Sequence, residues 1–95
     1  MNEITVRVQY YNIIRYAVGW AEENVSVPAG TVVREMLARL CDRHPQLPAI
    51  ILAADGTLAP HLVVFVNSKL QSSPDLEQPL QSGDQVLLFP AISGG

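Results

Sequence analysis

The sequence is short of the residues that several common functions require. It holds one cysteine, Cys41, so no internal disulfide framework is available, which fits a reducing compartment. Its six basic residues, Arg7, Arg15, Arg34, Arg39, Arg43 and Lys69, face nine acidic ones for a formal charge of -3, and they are scattered along the chain. Without a basic stripe there is no electrostatic footprint for phosphate backbones, and no nucleic-acid partner is expected. The longest apolar runs, 49–54 and 62–66, fall far short of the roughly 20 residues a membrane helix needs, so no membrane partner is expected either. Met1, Asn2, Glu3, Ile4 and Thr5 carry no basic patch leading into an apolar stretch; no secretory signal is read there, and a cytoplasmic protein is expected. Two histidines, His44 and His61, and the lone cysteine make no catalytic or metal-binding set at recognisable spacing, so no bound cofactor or metal is expected.

What is present suits one small folded unit. With 95 residues, 48% of them hydrophobic and 16% charged, the chain reads as a single domain over residues 1–95, too small to enclose a large active-site cleft. Ile4, Val6, Val8 and Tyr10 alternate with Thr5, Arg7 and Gln9, the period-two pattern of a strand with one buried face. Tyr11 falls on the solvent side of that alternation, and residues 12–20 read as a bend or short helical turn closing at Gly19. A second strand, 23–27, runs into the Pro28, Ala29, Gly30 turn.

Val33, Met36, Leu37 and Leu40 then recur at three- and four-residue spacing, with Arg34, Glu35, Arg39 and Asp42 between them. This predicts an amphipathic helix with Thr31 as N-cap, stopping near Arg43 or His44 because Pro45 disfavours helical geometry before it. Residues 47–52 fit either one helical turn or an extended stretch. Residues 62–66, rich in β-branched side chains, predict a mostly buried central strand ending at Asn67. Residues 72–79 read as a surface loop, Ser82, Gly83 and Asp84 as a turn, and 85–89 as a last strand stopped by Pro90. Strand, strand, helix, strand, strand leaves one helix to cover one face of a mixed sheet, an α+β chain in the β-grasp arrangement.

The last residues, Phe89, Pro90, Ala91, Ile92, Ser93, Gly94 and Gly95, are the most informative. At about 7% glycine, a terminal pair arises by chance in roughly 0.5% of chains. Position adds weight, because the pair follows a strand closed by Pro90. Six residues beyond Phe89 reach about 20 Å at roughly 3.3 to 3.6 Å each, enough for a flexible tail, about 90–95, to thread another protein's active site. Two glycines remove side-chain bulk where a narrow channel must approach the terminal carbonyl.

Val66 and Asn67, the stretch Pro79, Leu80, Gln81, Ser82, Gly83, Asp84, Gln85, Val86, and the tail from Phe89 to Gly95 resemble the C-terminal half of the molybdopterin-synthase small subunits and their relatives, the thiamine sulfur carriers. Val8, Gln9, Tyr10 and Tyr11, with Arg15 and Gly19, resemble the first strand and following turn of these ubiquitin-like proteins. The segment 45–60 is longer than in the short thiamine carriers, which favours the molybdopterin branch or a related longer carrier.

The resemblance implies a β-grasp fold and chemistry at Gly95, approached through Gly94. An adenylating enzyme related to ubiquitin activators would convert the terminal carboxylate with ATP into an acyl-adenylate. A sulfur donor protein would then leave a thiocarboxylate, and the tail would enter the large subunit of molybdopterin synthase to pass sulfur to a pterin precursor of the molybdenum cofactor. The resemblance also places Phe89, Pro90, Ile92, Tyr11 and Leu70 at the partner-binding surface.

Each of these has a plainer alternative. Phe89 fits the core as well as docking, and only a contiguous apolar patch would favour docking. Cys41, beside Leu37 and Leu40, reads as a small buried apolar residue rather than a persulfide carrier. His44 reads as a helix-end residue, His61 as a loop residue preceding a strand, Lys69 as solvated, and Gly83 and Asp84 as turn chemistry. A carrier serving cysteine, thiamine or tungsten-cofactor synthesis, a protein modifier joined to lysines through Gly95, and a β-grasp interaction module with an incidental terminus all remain open.

Overall fold

The computed structural model describes residues 2–71 and 76–90. Its elements are β1 (Glu3–Tyr10), α1 (Asn12–Val18), β2 (Glu22–Pro28), α2 (Val33–Arg43), α3 (Pro48–Ile51), β3 (Leu62–Val66), β4 (Lys69–Leu70) and β5 (Gln85–Pro90). The strands form one five-stranded sheet in the order β2-β1-β5-β3-β4. β1 and β5 run parallel at its centre, and the β1–β2, β3–β5 and β3–β4 pairs are antiparallel. This is the expected β-grasp arrangement.

The alternation in β1 decides which face is dry. Val6, Val8 and Tyr10 are buried, and their partners across the ladders, Val25, Val86 and Leu88, are buried with them. Against this face α2 presents Val33, Met36, Leu37 and Leu40, all at most 1% exposed. At about 2 kcal/mol for each fully buried aliphatic side chain, this interface is the main stabilising contribution the fold contains.

α2 begins one residue later than the sequence suggests. Val32 is the N-cap, and its N–H donates to Glu35 Oε1 at 3.1 Å. Thr31 instead donates its hydroxyl to the Pro28 carbonyl at 2.7 Å, fastening the preceding turn. The helix ends at Arg43, as Pro45 requires.

Three further elements go beyond the sequence reading. Residues 12–18 form a helix closed by Gly19 at φ 90, the left-handed conformation that glycine takes without steric cost. The ambiguous segment 47–52 holds the four-residue α3, which fully buries Leu47 and Ile51 and so extends the core past the end of α2. β4 was not expected, because two residues carry no periodic signal. Of the expected surface loop, 72–75 lies outside the described residues. Just after that stretch, Glu77 pairs with Arg34 on α2, and this hydrogen bond lowers the Glu77 pKa below the usual carboxylate range.

Candidate functional site

The sheet's second face carries no helix and divides into two halves. Paired residues on neighbouring strands share a face, and alternate residues along a strand return to it. On β1 and β2 this face presents Thr5, Arg7, Gln9, Glu22, Asn24 and Ser26, with Arg7 bridged to Glu22 at 3.2 Å. On β5, β3 and β4 it presents Leu87 and Phe89, Val63 and Phe65, and Leu70. The polar half suits a solvated surface; the apolar half is open as well but does not suit one.

The aromatic rings of the apolar half touch one another. Phe65 stacks on Phe89 with ring centroids 5.7 Å apart, and Tyr11 meets Phe89 edge-on at 6.1 Å. Tyr11 is fixed there because its N–H donates to the Leu88 carbonyl at 3.1 Å, after which Asn12 at φ 56 turns the chain off the sheet into α1. Leu70 lies directly across from Phe65 in the β3–β4 ladder and is 58% exposed, while Tyr11 is 42% exposed. This is a contiguous patch rather than scattered apolar residues, and such patches mark interaction sites.

The structure therefore unites three of the sequence-named residues, Tyr11, Phe89 and Leu70, on one surface. Pro90, paired with Leu62, is the last residue of β5 and lies at the rim of the same patch. Ile92, Gly94 and Gly95 lie outside the described residues. Phe65 was not singled out from sequence. The expectation that 62–66 is mostly buried is corrected, since only Val64 of β3 is buried and Val63 and Phe65 face the open side. The run of five apolar residues hides this because its two faces meet different surroundings, the core and the patch.

A second arrangement was also missed. Glu23 shares the core-side parity of Val25 and Val27, and its carboxylate enters the protein between β1 and the end of α2. There it accepts the Tyr10 hydroxyl at 2.6 Å and lies 2.5 Å from His44 Nε2, with Arg43 Nε at 3.2 Å from its other oxygen. His44 is the C-cap of α2, the helix-end position read from the sequence, and it is buried there with its ring packed edge-on against Tyr10 and Trp20. Burial first, and the neighbouring Glu23 second, push the Tyr10 pKa well above its ordinary value. Parity with Val25 and Val27 was the available signal for a buried glutamate. The cluster ties three elements together and lies on the core side, away from the apolar patch.

Cys41 is only half-buried, and it lines a cleft of about 840 Å³ between α2 and the 48–58 segment, together with Leu37, Pro48, Leu52 and Leu58. Partial burial and the nearby Asp42 raise its pKa, which works against a reactive thiolate. Among the described residues, no three His, Cys, Asp or Glu side chains gather as a metal site, and no helix is long and apolar enough to cross a membrane.

A single mixed sheet grasping one main helix, with an apolar open half-face that includes β5, defines a ubiquitin-like β-grasp protein. The sequence model of the ThiS family matches residues 8–95, and the chain belongs to that family of ubiquitin-like sulfur carriers. It is 32% identical over 71 residues to small archaeal modifier protein 1 of Haloferax volcanii, which covers 75% of this chain and 78% of that protein. A crystal structure of that Haloferax volcanii modifier superposes with a TM-score of 0.86, covering 96% of this chain and 99% of the other at 26% identity. A molybdopterin synthase sulfur carrier subunit of Chlamydomonas reinhardtii is 24% identical over 90 residues, 95% of this chain and 98% of that one. One chain of the Amycolatopsis orientalis BexX/CysO complex is similar at 30% identity and TM-score 0.69, covering 95% of this chain and 99% of that one.

Proposed function

We propose that this chain is a sulfur carrier loaded at Gly95 and that it serves as the small subunit of molybdopterin synthase. The observation that carries the reading is the family match, which runs through the tail to residue 95. The Chlamydomonas reinhardtii relative, named as a molybdopterin synthase sulfur carrier subunit, favours the particular pathway by aligning over nearly the whole of both chains.

The chemistry follows from the properties of a carboxylate. Ionised at neutral pH, it is a poor electrophile. An adenylating enzyme supplies ATP, a Gly95 carboxylate oxygen attacks the α-phosphorus, and pyrophosphate leaves. A persulfide on the sulfur donor then attacks the acyl carbon as the bond to AMP breaks, and a second thiol cleaves the resulting acyl disulfide, leaving the thiocarboxylate on the carrier and a disulfide on the donor. The carrier contributes a slender tail and a surface that orients it. Phe65, Phe89, Leu70 and Tyr11 form that surface at the root of the tail, where a partner docked on the patch receives Gly95 in its active site.

A second reading is favoured by the Haloferax volcanii relative, whose name is that of a modifier. Here the same activated Gly95 is joined to lysines of other proteins. Carriers for cysteine, thiamine or tungsten-cofactor synthesis differ only in the acceptor enzyme, which co-purification with the native protein distinguishes.

The test is intact mass. Incubation with ATP, a cognate adenylating enzyme and a sulfur source is expected to raise the mass by the difference between sulfur and oxygen, and deletion of Gly94 and Gly95 abolishes the gain. The described core ends at Leu88, so that deletion leaves the melting temperature unchanged. Formation of thiol-resistant conjugates without any thiocarboxylate would favour the modifier reading instead.

A further inference from the structure

We infer that the outer edge of β2, with the groove between it and α2, is a docking site for an extended acidic segment of another protein, which adds to the five-stranded sheet as a further strand. The inference stands apart from the chemistry proposed for Gly95. β2 and β4 are the two edges of the sheet, so this site is also separate from the apolar half-face on β3, β4 and β5.

The ladder between β1 and β2 decides which backbone groups are free. Tyr10 N–H donates to the Ala21 carbonyl at 2.8 Å and Ala29 N–H to the Asn2 carbonyl at 3.0 Å. The bonded pairs between them are therefore Val8 with Glu23, Val6 with Val25 and Ile4 with Val27. The intervening pairs, Gln9 with Glu22, Arg7 with Asn24 and Thr5 with Ser26, point their polar groups away from each other. On the β1 side the bonds bear this out: Arg7 N–H donates to the Asp84 carbonyl at 3.0 Å, and the Thr5 carbonyl accepts from Gly83 N–H at 2.9 Å. On the β2 side Glu22, Asn24 and Ser26 aim N–H and C=O outward, and none of these groups has a protein hydrogen bond among the described residues.

Edge strands are ordinarily blunted by a bulge, by proline or by charge. The β1–β2 register runs without a bulge, and the proline of β2 is its last residue, Pro28. Its charges stand at the start, Glu22 bridged to Arg7 and Glu23 turned inward, which leaves Asn24 to Val27 uncharged. Such an edge is a template for strand addition, in which main-chain bonds hold the added segment and pockets for alternate side chains select it.

The selecting surface is supplied by α2. Arg39, Asp42 and Arg43 enclose, with Val25 and Ser26, a groove of about 320 Å³ along the β2 edge. A strand laid there sets every second side chain against the aliphatic stems of the two arginines, which suits apolar residues at those positions. Charge then chooses the flank. Arg39 is exposed and has no ion pair among the described residues, and Arg43 is half-exposed with its Nε beside the buried Glu23 carboxylate. Asp42 is the one acid on the rim, so the rim is net positive on a chain of formal charge -3. An acidic side chain in the added strand meets two arginines, and a basic one is repelled. A second copy fits less well, because antiparallel pairing of two β2 edges sets one net-positive rim against another.

Two fluorescent peptides test this on the full chain: a short run of alternating valine and threonine, followed by glutamates in one and preceded by them in the other. Versions with lysine in place of glutamate are the controls. In the free chain the Asn24 and Ser26 amides are expected to exchange with deuterium quickly, and those of Val25 and Val27 slowly. At least one glutamate peptide should bind, read by fluorescence anisotropy at low salt, and should slow exchange at Asn24 and Ser26 while leaving Phe65 and Phe89 unchanged. Asn24→Pro removes one outward N–H without touching the β1 ladder and should weaken binding about tenfold. Arg39→Glu, at an exposed side chain, should weaken it about fivefold, and it keeps the test intact if the proline variant does not fold. No binding by either glutamate peptide, equal binding of the lysine versions, or protection of Phe65 and Phe89 instead would each overturn the proposal. So would Asn24 and Ser26 amides that are already protected in the dilute free chain, or that become protected with rising protein concentration alone, which would make a second copy the occupant.

Discussion

Phe65 and Phe89 stack across the β3–β5 ladder with their ring planes 12° from parallel, and this contact joins the apolar half-face to the strand that ends at Pro90. Rings on adjacent strands held in this way are already ordered, so a docking partner loses little side-chain entropy in meeting them. Phe65→Ala or Phe89→Ala is expected to weaken binding to the adenylating partner by about 2 kcal/mol, roughly 30-fold. Leu70→Asp is the cleaner probe, since its exposure keeps the stability change within about 0.5 kcal/mol. Titration calorimetry with the partner, alongside thermal melts, checks both, and Thr5→Ala on the polar half is the control. Undiminished binding by all three variants would remove the patch from the docking surface.

The elements legible in the sequence were those with a period. Ile4, Val6, Val8 and Tyr10 announced β1, and Val33, Met36, Leu37 and Leu40 announced α2, because each set faces one continuous core. The candidate docking residues Tyr11, Phe89 and Leu70 came from family resemblance, and their meeting on one face needed the register of β3 against β5. Phe65 escaped because a strand apolar on both faces gives no alternation. β4 escaped because its two residues are set by the Asn67–Ser68 turn and by pairing with β3, both tertiary facts. Glu23 was treated as a strand boundary, although its parity placed it on the buried side.

Glu23 provides a sharp test of that burial. Its buried carboxylate serves the Tyr10 hydroxyl and His44, with the half-exposed Arg43 beside its other oxygen. Glu23→Ala strands the first two without an acceptor, and a loss of about 3 kcal/mol is expected by urea unfolding. Combining it with His44→Ala should cost clearly less than the sum of the two single changes, because the partners fail together. Simple additivity would mean that the two side chains do not interact.

Tyr10 gives the cluster a signature in alkali. In the unfolded chain a tyrosine loses its proton near pH 10. In the fold, burial and then Glu23 raise that pKa. Above about pH 10 the unfolded state therefore binds fewer protons than the folded state, and stability falls as pH rises, by up to about 1.4 kcal/mol per pH unit. Below pH 10 this contribution is fully present. Tyr10→Phe is expected to lose about 1 kcal/mol at neutral pH with the hydrogen bond, yet to show a flatter decline in alkali. Unfolding midpoints in urea between about pH 8 and 11 measure both effects. Equal alkaline slopes for the two proteins would mean that some other group governs the decline.

The reversal between β3 and β4 separates two residues with opposite roles. Asn67 and Ser68 both hold positive φ, the pattern of a two-residue hairpin turn in which the second position favours glycine. Ser68 has no hydrogen bond among the described side-chain contacts to set against that strain, so Ser68→Gly relieves it. A gain of about 0.5 to 1 kcal/mol is expected, raising the melting temperature by about 3 to 6 °C. Asn67 tolerates the same conformation and also bridges Asp84 and the Gln85 N–H. Asn67→Gly therefore keeps the turn but loses both bonds, and a loss of about 1 to 2 kcal/mol is expected. Opposite signs from two glycine substitutions at adjacent positions cannot come from a general loosening of the loop. Differential scanning calorimetry of the two variants decides the matter, and a fall in melting temperature for Ser68→Gly would show that its backbone carries no strain to relieve.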